Sequence, residues 1–154
     1  MYFSLVDTVL EQTADRIVTL KQVTNAEEYL LDHFPGFPIL PGVMMLEAMV
    51  QAARILLRAR DPMFGRHVLG EVRALKYGAM VKPGASIRVD VAHHMAENED
   101  VHVFKGLVRL VRVNQLASEL PDDAPTAASG RFTLRPIAFV GSAEHMAVYG
   151  APGR

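Results

Sequence analysis

Two residues stand out for the chemistry they offer. Glu47 lies in the run Val43-Met44-Met45-Leu46-Glu47-Ala48-Met49-Val50, among apolar neighbours only. Enclosing a carboxylate there costs several kcal/mol or drives it to keep its proton. Such groups cluster at active sites, where a carboxyl that holds a proton can act as a general acid. The plain alternative is a rim glutamate bonded to an arginine from elsewhere in the fold. Gln51 stands four positions on, spaced on a helix to hold the carboxyl in one orientation. His33 is the second residue. A loop histidine is usually just exposed, but this one opens a segment stiffened by Pro35, Pro38 and Pro41 and turned by Gly36 and Gly42. A stiff loop leading into a helix fixes a side chain against a ligand. A histidine near its working pH and a carboxyl make an acid/base pair. The helix start at Gly42-Val43 adds unpaired N–H groups and the positive end of a dipole. Those groups suit a carbonyl on which enolate-like charge develops.

The elements that must position these groups are legible in the pattern. Three prolines in residues 35–41 forbid helix and force an extended, turning path. A helix is expected from about Gly42 to about Arg60. It is apolar on every side over residues 43–53 except at Glu47 and Gln51, which marks a buried helix. Arg54, Arg58 and Arg60 suit its C-terminal end, and Asp61-Pro62 stops it. Upstream, Phe3, Val6, Val9 and Leu10 suit one or two turns of amphipathic helix. Residues 16–24 (RIVTLKQVT) read as a strand. Asn25 is placed to cap a short helix with Glu28 in the capping-box position and Tyr29 and Leu30 inward. Downstream, residues 67–79, 86–95, 101–114 and 127–136 read as strands. They are separated by turn material at residues 82–84, 97–100 and 119–125. Hairpin-like links imply antiparallel pairing. The expected class is α+β, one buried helix followed by a strongly curved antiparallel sheet. The tail, residues 139–154, holds three glycines and no clear period and is expected to pack loosely.

Composition bounds the function. The 154 residues fit one domain, and half are hydrophobic, enough for a sizeable core. The absence of cysteine excludes disulfides, thiolate metal sites and a cysteine nucleophile, and is compatible with a cytoplasmic setting. The N-terminus lacks a signal-peptide pattern, and the most apolar stretch is too short to span a bilayer. A net charge of −1 argues against nucleic acid. His93 and His94 are adjacent and point to opposite faces of a strand, and His67, His102 and His145 are read as packing or solvent residues. No HExxH, Gly-rich phosphate loop or GxSxG elbow occurs. Met44, Met45 and Met49 fit an adaptable acyl slot, though core filling is the commoner use.

The string His33-Phe34-Pro35-Gly36, then Pro38-Ile39-Leu40-Pro41-Gly42-Val43, then Leu46-Glu47-Ala48-Met49-Val50-Gln51 resembles the FabZ-type 3-hydroxyacyl-(acyl-carrier-protein) dehydratases of the hotdog superfamily. Nearly every fixed position of that motif is matched at the same spacing. Softer similarity runs over about residues 2–136. The resemblance implies a hotdog fold, a long sheet wrapped round the central helix. It implies a homodimer with a continuous sheet and shared active sites, and a hexamer built as a trimer of dimers is compatible with it. His33 would come from one subunit and Glu47 from the other. The thioester carbonyl would meet the Gly42 N–H, with Val43, Phe34 and Gln51 as further substrate contacts and the acyl chain in a tunnel along the helix. No metal or organic cofactor is needed, and the phosphopantetheine arm belongs to the carrier, acyl carrier protein or CoA. The implied reaction is dehydration of a (3R)-3-hydroxyacyl thioester in fatty acid or related lipid biosynthesis. Two rivals are a hotdog thioesterase and a non-catalytic acyl-thioester-binding protein. A third, dehydration with isomerisation, typically has Asp where Glu47 stands. Asp32 replaces a common Gly and sets a carboxylate beside His33, Phe37 replaces a commonly polar residue, and the link at about residues 114–128 looks long.

Overall fold

The computed structural model describes residues 4–97, 100–112, 116 and 123–137. Six strands form one antiparallel sheet in the order β1-β2-β4-β5-β6-β3. They are β1 (Thr8–Gln12), β2 (Arg16–Gln22), β3 (His67–Tyr77), β4 (Ser86–Ala96), β5 (His102–Val111) and β6 (Thr126–Pro136). One helix, α1 (Gly42–Arg60), lies against the sheet. This is the helix-and-wrapped-sheet arrangement that the sequence leads one to expect. On the inner face of β5, His102, Phe104, Gly106 and Val108 alternate with half-buried or exposed residues. Met45, Ala48, Met49, Ala52, Ala53, Leu56 and Leu57 of α1 complete the core.

Gly106 marks the closest approach of helix and sheet. A Cβ there would run into Met49 Sδ and sit 3.0 Å from Met49 Cγ and 3.3 Å from the Phe132 ring. Its partner across the ladder is also a glycine, Gly130. The side-chain-free backbone lets Met49 press onto the strand.

Four expectations are corrected. Residues 8–10 are not helical but belong to β1, which pairs with β2. The i, i+3 spacing of Val6 and Val9 suggested a helix, yet Val9 is 40% exposed, and the pairing with β2 decides the conformation. The short helix is a 3-10 turn at Glu28–Leu30 that follows Glu27 with no side-chain cap, so Asn25 and Glu28 form no capping box. Leu30 does turn inward. Strand β3 does not form a hairpin with β4; it pairs with β6 at the far edge of the sheet. The link between them is engaged elsewhere: Val81 C=O accepts the Leu40 N–H, and Ala85 C=O accepts the Val23 N–H. Finally, α1 is buried on one side only. Val43 is 65% exposed, and Met44, Leu46, Glu47 and Gln51 are half-buried. His145 and the tail lie outside the described residues, as does most of the 114–128 link.

At the far end of α1 three histidines gather. His67, His93 and His102 come from β3, β4 and β5; His67 and His102 pack edge-on against Phe64, and His93 lies against His102 and Phe104. His93 turns in and His94 out, as their adjacency requires. The hydrogen bonds make His93 and His102 each accept at Nδ1, which fixes both as neutral rings. Arg60 Nη1 can only donate to His93 Nδ1, at 3.4 Å. His93 Nε2 then carries the proton and donates to His102 Nδ1, at 3.3 Å. His67 Nε2 donates to the Asp100 carbonyl at 2.9 Å. No three acidic or histidine groups among the described residues are placed to hold a metal ion. Burial first, then the charge of Arg60, pushes the His93 pKa down, against Asp15. Burial, then His93, His67 and Arg60, does the same to His102, against Asp100. The unfolded chain therefore binds these protons more readily than the folded one. Their contribution is present above the ordinary histidine value of about 6.5 and is lost as pH falls through the lowered folded values. Thermal unfolding at about pH 7.5 and about 5.5 should show a larger loss for the wild type than for His102→Gln. Equal losses would refute the link.

Candidate active site

His33 sits on a loop that main-chain hydrogen bonds close on itself. Its C=O accepts the Ile39 N–H at 2.9 Å, Phe34 C=O accepts the Phe37 N–H at 2.9 Å, and Leu40 N–H reaches Val81 C=O at 2.8 Å. Gly36 supplies the positive φ, +75°, that the turn needs. The imidazole is half-buried, with Nδ1 3.0 Å from the Ile39 carbonyl oxygen. A carbonyl only accepts, so Nδ1 carries the proton. In the neutral ring Nε2 is then a free base. Phe34, 51% exposed, stacks on the ring with centroids 4.2 Å apart. Phe37 lies under Lys82, whose Nζ is 4.5 Å from the ring centroid. Asp32 is exposed and makes no ion pair with His33, so the expected neighbouring charge is not in contact.

The loop delivers the chain to the start of α1. Pro41 caps it without a side-chain bond, and its carbonyl takes the N–H groups of Met44 and Met45 at 3.0 and 3.3 Å. The N–H groups of Gly42 and Val43 have no acceptor among the described residues. Gly42 also lies under the ring of Tyr77, where a Cβ would be 2.5 Å from Cε1. A side chain at position 42 would push that ring aside.

Glu47 stands one turn further along α1. Its Oε1 accepts from Gln51 Nε2 at 3.1 Å, the contact their spacing suggests. Gln51 Oε1 accepts the Leu5 main-chain N–H at 2.8 Å. Within one chain, no hydrogen bond or ion pair joins His33 and Glu47 among the described residues. The structure thus gathers His33, Phe34, Gly42 and Val43 around the loop-to-helix junction and ties Glu47 to Gln51. It does not bond His33 to Glu47 within the chain. Sequence reasoning missed Tyr77 and Leu5. An aromatic at the end of β3 gives a faint signal, and a main-chain donor gives none.

The candidate site offers an imidazole, a carboxyl and two N–H groups without an acceptor among the described residues, and the chain carrying it is similar to known proteins. A family model described as ApeI-like, ApeI dehydratase, matches residues 9–113. The chain is 40% identical over 89 residues to 3-hydroxyacyl-(acyl-carrier-protein) dehydratase FabZ of Oenococcus oeni, covering 56% of this chain and 64% of that protein. It is 38% identical over 91 residues to FabZ of Solibacter usitatus, covering 58% and 56%. The match spans less than two thirds of either relative. Among solved structures, the dehydratase heterocomplex ApeI:P of Xenorhabdus doucetiae superposes with a TM-score of 0.60 at 16% identity, over 87% of this chain and 99% of that one. A hypothetical thioesterase with coenzyme A from Streptococcus pneumoniae gives 0.58 at 10% identity, over 85% of each chain. These likenesses establish the shared fold. No helix among the described residues is long and apolar enough to cross a membrane. By the family model, which takes in His33, Gly42, Glu47 and Gln51 alike, the chain belongs to the ApeI-like dehydratase family.

Proposed function

We propose that the chain dehydrates a (3R)-3-hydroxyacyl thioester, carried on acyl carrier protein, to the trans-2-enoyl thioester. The observation that carries this reading is the His33 imidazole, held by Nδ1 on the Ile39 carbonyl so that Nε2 is a free base. In the proposed reaction Nε2 removes the α-proton of the thioester. The Gly42 N–H, with no protein acceptor of its own, stabilises charge on the thioester oxygen. Glu47 gives a proton to the departing β-hydroxyl, which leaves as water. Names of the dehydratase relatives support the substrate class and the carrier.

His33 and Glu47 work together in a homodimer, one from each subunit. Three features support this reading. The two are not bonded within one chain. Strand β3 is an edge strand with no partner on its outer side among the described residues. Near the same region Val43, Tyr77 and Met80 are 65%, 52% and 62% exposed. That one structural neighbour is a heterocomplex favours a second reading, in which the partner is a different chain. Incubating the purified chain with a 3-hydroxyacyl carrier-protein thioester tests both. Loss of water with appearance of the enoyl product supports the homodimer, and activity only on adding a second hotdog chain supports the other. Release of free thiol without enoyl product would replace dehydration by thioester hydrolysis.

A further inference from the structure

Gln51 lies between two groups that dictate how its amide is oriented. The Leu5 main-chain N–H can only donate, and it meets Oε1 at 2.8 Å. The amide oxygen therefore faces Leu5, and the NH2 group faces Glu47 Oε1 at 3.1 Å. A flipped amide would set donor against donor at Leu5 and a carbonyl oxygen against the Glu47 carboxylate. Leu5 is itself firmly placed. Its side chain is 1% exposed in the core. Two residues on, the Asp7 N–H bonds to Leu20 C=O at 2.9 Å. The Asp7 carboxylate accepts the Gln22 N–H at 2.7 Å and pairs with Lys21 Nζ at 3.2 Å. Lys21 also pairs with Glu27 at 2.8 Å, so the 24–30 turn and the N-terminal segment are fastened to β2 together.

We infer that Gln51 is a positioning residue for Glu47, and that the main chain of Leu5 sets its orientation. Residues 4–7 then act on the site without touching substrate. The inference rests on the dehydratase reading for Glu47's role, but the contacts that carry it do not.

The discriminating variant is Gln51→Glu. It keeps an oxygen for the Leu5 N–H, removes the donor to Glu47 and sets a second carboxylate beside it. If Gln51 served only to anchor Leu5, the variant would behave as wild type. The expected result is a melting temperature within about 3 °C of wild type, an unchanged KM and a kcat lower by about tenfold or more. The alkaline limb of the pH–rate profile, where Glu47 loses the proton it must give, should move to higher pH, because two carboxylates at one site share a proton. Wild-type kcat and pH profile in Gln51→Glu would overturn the positioning role while dehydration itself stood. A wild-type protein that does not dehydrate would instead sink the functional reading. In that case, or if Gln51→Glu does not fold, the Gln51 side-chain NH2 resonances decide. They should shift and exchange faster in Glu47→Ala; unmoved resonances overturn the inference.

Discussion

Alone, His33→Ala and Glu47→Gln should each lose at least about a hundredfold in dehydration rate while keeping the wild-type fold and oligomeric state. Co-expressed, the two variants should regain activity. In a mixed dimer one site would receive both altered residues and the other neither. Random pairing makes half the dimers mixed, so about a quarter of the wild-type sites return. If base and carboxyl came from the same chain, each site of the mixed dimer would carry one defect, and nothing would return. Steady-state rates on the three preparations therefore test the chemistry and the sharing of the site separately. Full activity in His33→Ala would remove the base assigned to Nε2. The fold has little reason to suffer: the His33 ring is only half-buried, and main-chain bonds close its loop.

The second large effect lies far from that loop. Gly106→Val should lower stability by about 1–3 kcal/mol, and the melting temperature by about 3–10 °C. Its Cβ would meet Met49 Sδ, and Met49 is 0% exposed in the core. Met49→Ala alone opens a cavity and should also destabilise, by about 2–5 kcal/mol. In the double variant the valine fills part of that space, so the combined loss should be well below the sum of the two. Strict additivity would show that Gly106 and Met49 do not share the contact assigned to them.

Much of this architecture was legible because it depends on local composition. The helix runs from Gly42 to Arg60, as its apolar run and the flanking prolines require. The four strands after it differ from expectation by only a few residues. The motif from His33 to Gln51 marked the residues proposed as acid and base, and the Glu47–Gln51 spacing gave the contact that the structure holds. What escaped depends on distant partners. β1 has no face of its own to show, since Thr8, Val9, Glu11 and Gln12 are all exposed, and only β2 makes it a strand. β3 reads like the first arm of a hairpin, yet its neighbour is β6, 60 or so positions downstream, a choice no short-range pattern records. The Leu5 N–H on Gln51 belongs to the same class, because a main-chain donor looks alike under every side chain.

The two borders of the sheet differ in length, and in the proposed homodimer that difference would govern how far assembly runs. β1 has five residues, a register break between Val9 and Glu11, and a glutamate held to Arg16 and Arg88. A border of five residues gives an incoming strand less than half the template that eleven would. β3 has eleven residues with two register shifts, and no strand among the described residues pairs with its outer side. Joined through β3 about a two-fold axis, two chains would end in β1 on both sides. Such a sheet would present only its short borders, so association through strands would favour stopping at two over propagating into a fibre.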